Sequence, residues 1–140
     1  MLMSRKLLCA VYIAIALVAL VATWSQNIVF FRDGGSFLGF FEALKVNPAS
    51  RSFTVDIALL LLAVAILMVI EARRLGVKFV WAYILGGFAI AISVAFPLFL
   101  LARELRLAKS DATELRNVDS ILLAALAGFT LAFTIWVDVF

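Results

Sequence analysis

Four long apolar runs, separated by short polar segments, set the layout of this chain. The first, Leu7 to Trp24, follows Arg5 and Lys6. The others are Phe53 to Ile70, Phe79 to Ala102 and Ile121 to Val137. About 20 residues at roughly 1.5 Å rise cover a hydrocarbon core of roughly 30 Å, so each run is long enough to be read as a transmembrane helix. A shorter element lies between the first two. Arg32-Asp33-Gly34-Gly35-Ser36 is a turn signal, and Phe37, Phe40, Phe41 and Leu44 then follow at i, i+3, i+4 and i+7, one face of a helix. That stretch, 36–45, is too short to cross. The spacing predicts a helix lying flat at the interface, its phenylalanines directed either into the acyl chains or onto the protein's own spans.

The polar segments predict where helices start and stop. Asn47-Pro48-Ala49-Ser50 breaks and restarts the helix, because the residue before proline avoids the helical region and Ser50 can cap. Gly76 is a natural stop for the second span, and the short connector to the third makes those two spans antiparallel neighbours. Pro97 predicts a kink in the third span by removing the hydrogen bond to Ser93. Gly87, Ala91 and Ala95 recur every four residues and predict a seam for close helix approach. In the connector Arg103 to Asp119, the spacing of Asp111 and Glu114 suits a helical start, and Asp119 is placed to cap the last span. The expected fold is therefore an all-α, single-domain bundle of four transmembrane helices with one interfacial helix.

Composition agrees with that reading and narrows the chemistry. Hydrophobic residues make up 66% of the 140 and charged residues 15%, with mean hydropathy +1.18. A soluble domain of this size could not hide so much apolar surface. There is no histidine, and Cys9 is the only cysteine and lies within an apolar run. Catalysis by histidine, an intrachain disulfide and most zinc or copper sites are thereby excluded. No phosphate loop, metal-ligand cluster or nucleophile–base pair is present, so no cofactor is expected. The net charge of +3 is spread over the connecting segments, where it suits lipid phosphates rather than nucleic acid. The basic start of the first span resembles a secretory signal, but Leu20-Val21-Ala22-Thr23-Trp24 lacks small residues at a cleavage position, so an uncleaved anchor is expected.

Few side chains remain that could carry chemistry. Asp56 sits one to two turns into the second span, where a carboxylate costs up to roughly 2.5–3.5 kcal/mol at mid-membrane. Two readings are open for it. One is a proton-carrying, ion-binding or headgroup-binding acid; the other is a structural acid paired with Arg51 or Asn47, or capping nearby amides. Thr130, Thr134 and Asp138 share a face of the fourth span, either as interhelical hydrogen-bond glue or as the lining of a polar cavity. With four alternating crossings, Asp56 and Asp138 would lie on opposite sides of the membrane.

Asn47-Pro48-Ala49-Ser50, then Phe53 and Asp56 entering an apolar span, resemble a family of small bacterial integral membrane proteins catalogued only as a domain of unknown function. Glu71-Ala72-Arg73-Arg74-Leu75-Gly76, Trp81 and the stretch Phe96-Pro97-Leu98-Phe99-Leu100-Leu101-Ala102-Arg103-Glu104 extend the resemblance over roughly the first three spans. It implies the membrane architecture and brings no activity.

These observations suggest a non-enzymatic accessory or interaction subunit that contacts membrane lipids and either a partner membrane protein or copies of itself. The alternatives are an intramembrane enzyme on lipid or isoprenoid substrates, with Asp56 as acid, and an oligomeric transporter or channel. The expected location is the bacterial inner membrane as a multi-pass protein. Lysine and arginine counts conflict over orientation, since the N-terminus and second loop carry fewer than the longer first and third loops. Charge density in the short segments favours both termini inside.

Overall fold

The computed structural model describes residues 4–108 and 115–140, and their regular structure is helical. Asp111 and Glu114 lie outside the described residues. Helix α1 runs from Arg5 to Arg32, its amide ends capped by Ser4, whose hydroxyl accepts from the Leu7 N–H at 3.2 Å. The short α2, Phe37–Ala43, starts in the same way, with the Ser36 hydroxyl accepting from the Gly39 N–H at 2.9 Å. Its phenylalanine face is divided. Phe40 packs on Phe30 and Phe31 at the end of α1, with ring centroids 5.6 and 6.0 Å away, while Phe37, Leu38 and Phe41 are exposed. Gly35 allows the tight turn between them: a Cβ there would lie 2.6 Å from the Phe30 carbonyl oxygen.

Helix α3 covers Pro48–Leu75. Asn47 caps it rather than Ser50, because proline at the first helical position sets the start one residue after Asn47, whose Oδ1 accepts from the Ser50 N–H at 2.8 Å. The helix ends on Gly76 in the left-handed region, as the sequence suggested.

The next 27 residues, Val80–Arg106, are long and apolar enough to cross a membrane. They are nevertheless folded back on themselves. Helix α4, Val80–Gly86, widens into a π turn over Gly87–Ala91, Ala91 is extended, and α5, Ile92–Arg106, returns alongside α4. The Tyr83 and Phe99 rings meet edge to face at 5.8 Å, and a Cβ on Gly86 would lie 4.0 Å from that of Ala95. Residues so far apart in sequence cannot touch in one straight helix at about 1.5 Å per residue. The pair forms a re-entrant hairpin about 20 Å deep, with Val80 and Arg106 at the same end.

That reversal changes two sequence expectations. Gly87, Ala91 and Ala95 do not share a face, since the helix that would align them is broken at Ala91; Gly86 faces Ala95 across the hairpin, and Gly87 abuts Leu61 of α3. The termini also separate. Helix α6, Asn117–Val139, lies parallel to α1: Gln26 donates to the Asp138 carbonyl at 3.3 Å, and Leu131 and Asp138 line a cleft with Leu17 and Ser25. Ser4 and Phe140 therefore lie at opposite ends of the helix stack, not on one side. Asp119 lies in the first turn of α6 and pairs with Arg116 at 3.3 Å instead of capping.

The core sits where α3 meets the hairpin. Met68 and Ala72 of α3, Val77 in the connecting turn, Val80 and Ile84 of α4 and Phe99 of α5 bury one another. Helix α1 covers the other side of α5, and α6 flanks α1. The row runs α6, α1, hairpin, α3.

Candidate functional site

The ends of α1, α3 and α5 converge on a group of charged side chains at the open end of the hairpin. Glu71, half-buried near the end of α3, accepts from Arg103 Nε at 2.6 Å and from Arg74 Nη2 at 3.0 Å. Arg103 also lies 3.8 Å from Glu104, through Nη1 and Oε2. Glu104 is 1% exposed, the only charged residue so deeply buried among the described residues. Arg5 reaches in from α1 and donates through Nη2 to the Glu104 backbone carbonyl. Arg74 and Arg103 sit in the last turns of α3 and α5, and the Arg5 side chain reaches from the start of α1 to the last turn of α5, where free carbonyls and the helix dipole favour positive charge. Glu104 Oε2 and Arg5 Nε are buried without hydrogen bonds among the described residues, so the Arg103 charge is what offsets burial of the Glu104 carboxylate.

The tip of the hairpin is anchored differently. Trp24 Nε1 donates to the Ile90 carbonyl at 3.2 Å, tying α1 to the π turn. This donor satisfies a carbonyl that the reversal removes from the helical pattern, which matters at membrane depth. Pro97 is buried within α5, so the expected loss of the bond to Ser93 falls inside the returning arm. In the sequence Trp24 is only the end of the first apolar run, and Glu104 only the last residue of a stretch that carries the family resemblance. Which helices meet them depends on the reversal, and that has no local signal at Ala91.

The residues singled out from sequence are dispersed. Asn47 is engaged as the α3 cap, and Arg51 Nε donates to the Lys45 carbonyl at 2.9 Å. Neither pairs with Asp56, because both are used to join α2 to α3. Thr54 adds to that joint by donating to the Leu44 and Ser50 carbonyls at 3.2 and 2.7 Å. Asp56 itself is exposed, and no hydrogen bond or ion pair reaches it among the described residues. Its neighbours Phe53, Val55, Ile57, Leu59 and Leu60 are exposed as well, because the hairpin tip reaches α3 only at Leu61.

On α6, Thr134 and Asp138 are half-buried on the side facing α1, while Thr130 is exposed. Thr134 donates to the Thr130 carbonyl at 2.9 Å, so its hydroxyl is satisfied within the helix. The cleft between α1 and α6, about 430 Å³, is lined chiefly by Leu17, Val18, Val21, Leu131 and Ile135. Asp56 and Asp138 lie at the same end of the stack, not at opposite ends, because the chain reverses at Ala91 and α5 ends beside the start of α4. They are on α3 and α6, the two outermost helices of the row, so they do not form a dyad.

Taken together, the site is a structural ion cluster at one end and an unaccompanied carboxylate toward the other. Neither arrangement places a nucleophile, a base and an oxyanion donor around one point. No curated protein and no solved structure matches the chain. Residues 11–105 match a family, spanning α1 from its second turn to the last turn of α5 and leaving out α6. The chain belongs to the family described as Protein of unknown function DUF2834.

Proposed function

We propose that this chain is a non-enzymatic subunit of a membrane complex, whose role is to pack against partner membrane helices. The observation that supports this is the distribution of burial. Helix α6 has no buried residue, and the first three turns of α3 have none either. The closely packed part is confined to the hairpin and the segments of α1 and α3 that clasp it. Membrane helices associate through close packing and interhelical polar contacts, so faces left open within one chain are available to another.

The distribution of cations supports an orientation for this subunit. Arg5, Lys6, Arg73, Arg74, Lys78, Arg103 and Arg106 gather at the open end of the hairpin, with Arg116 at the start of α6; the opposite end carries Arg32, Lys45 and Arg51. By the positive-inside rule the first end faces the cytoplasm, with the chain's Ser4 end inside and its Phe140 end outside a cytoplasmic membrane. The conflict among the loop counts disappears once the third apolar run returns to its own side.

Purification of the tagged chain from its native membranes in mild detergent tests the subunit reading. A companion membrane protein at fixed stoichiometry is expected; a solitary monomer at every detergent strength refutes it. Thiol labelling of single cysteines, introduced at Lys6 and at Phe140 in a Cys9→Ser background, tests the orientation. Intact cells should label at Phe140 and not at Lys6, and the reverse pattern overturns it.

A further inference from the structure

Asp56 lies three positions into the second apolar run, directly before its uninterrupted part, Ile57 to Ile70. We take the ion cluster at Glu71 as one edge of the hydrocarbon. Fifteen helical positions separate Glu71 from Asp56, about 22 Å, which in a core of roughly 30 Å leaves Asp56 about 8 Å from the far edge. The carboxylate is exposed on the part of α3 beyond the hairpin tip, between Val55 and Ile57, themselves 57% and 50% exposed.

An unaccompanied carboxylate facing lipid is costly, and acids at this depth pair with another group or mark a functional contact. Among the described residues none is paired with Asp56. Arg51 projects about 140° round α3 from Asp56 and donates through Nε to the Lys45 carbonyl, and Asn47 accepts from the Ser50 N–H. The remaining cations at that end, Arg32 and Lys45, are paired with Asp33 and Glu42; Arg32 is the last residue of α1 and Lys45 precedes α3. A second copy of the chain presents the same side chains on the same faces. A symmetric contact through this face would bring two carboxylates together.

We infer that the exposed face of α3 around Asp56 docks a transmembrane helix of a different protein, one carrying a lysine or arginine about 8 Å inside that leaflet. Charge complementarity selects the occupant: a cation on the incoming helix neutralises Asp56, while its apolar neighbours pack on Val55, Ile57, Leu59 and Leu60. The inference rests on the subunit reading and gives the partner its chemistry.

The test is retention of the companion by the tagged chain purified from native membranes. Asp56→Glu should keep it, and Asp56→Asn should lose it by about tenfold or more, the usual scale for truncating a buried charge pair. The companion should carry a lysine or arginine within an apolar run. Asp56→Lys should lose it too, and exchanging the companion's cation for aspartate should restore binding to Asp56→Lys, a rescue that a misfolded variant could not give. A companion that survives Asp56→Asn undiminished, or that lacks an intramembrane cation, overturns this docking mode and leaves the subunit reading in place. Recovery of only a second copy of the chain, or only of a tightly held aminolipid, overturns it as well. Absence of any companion overturns both.

Discussion

The doubling back of Val80–Arg106 can be tested by a cross-link. Gly86→Cys and Ala95→Cys, introduced together in a Cys9→Ser background, place two thiols across the hairpin. A Cβ on Gly86 would lie 4.0 Å from the Cβ of Ala95. That is inside the range of about 3.5–4.5 Å that a disulfide needs. In a continuous helix nine residues would separate the same atoms by about 13–14 Å, far outside any bridge. The structure therefore predicts near-complete oxidation in native membranes under mild oxidant. Closing a loop of about ten residues should also raise stability by about 2–3 kcal/mol on the chain-entropy account. Mass analysis after alkylation reads the outcome, since a bridged pair takes up no alkylating reagent and a free pair takes up two. The pair Gly86→Cys with Leu101→Cys controls for random collision. Full alkylation of both thiols in the Gly86→Cys/Ala95→Cys chain, after oxidation, would refute the hairpin and the orientation built on it.

Other perturbations separate the parts of the structure. Arg103→Ala leaves Glu71 and Glu104 without their shared cation, and should lower stability by about 2–4 kcal/mol, since a partly buried pair is broken. Arg74→Ala removes a largely exposed partner of Glu71 and should cost at most about 0.5 kcal/mol; thermal unfolding in detergent compares the two. Gly35→Ala forces a Cβ onto the Phe30 backbone, and should release α2 from the end of α1, seen as new protease cleavage between Arg32 and Phe37 at a cost of about 1–3 kcal/mol. Trp24→Phe removes the donor to Ile90, and should raise amide exchange in the π turn without changing exchange in α3.

Much of the architecture is legible in the sequence because hydrophobic length and helix-end chemistry are local signals. The apolar run from Leu7 to Trp24 sits inside α1, that from Phe53 to Ile70 inside α3, and that from Ile121 to Val137 inside α6. Ser36 begins a helix and Gly76 ends one, as their chemistry implies. The reversal at Ala91 is different. Ile90-Ala91-Ile92 is as apolar as its surroundings, and the turn is fixed by contacts from elsewhere: Trp24 on the Ile90 carbonyl, Leu61 against Gly87, Tyr83 against Phe99. Pro97, the nearby residue that does disrupt helices, lies six positions along and leaves α5 continuous. Glu104 was unreadable as a buried acid for the same reason, because its burial requires α1 and α5 to run side by side. Asp56 was legible as an anomaly, while its isolation became visible only once Arg51 and Asn47 were seen to be occupied.

The re-entrant hairpin also gives the molecule unequal halves. A section near Glu71 cuts α1, α3, α4, α5 and α6, whereas a section near Asp56 cuts only α1, α3 and α6. Two helices of roughly 10–12 Å diameter are thus present in one leaflet and absent from the other. Such a wedge displaces more lipid on its broad side, so it fits a bilayer that bends around that side and places lateral strain on a flat one.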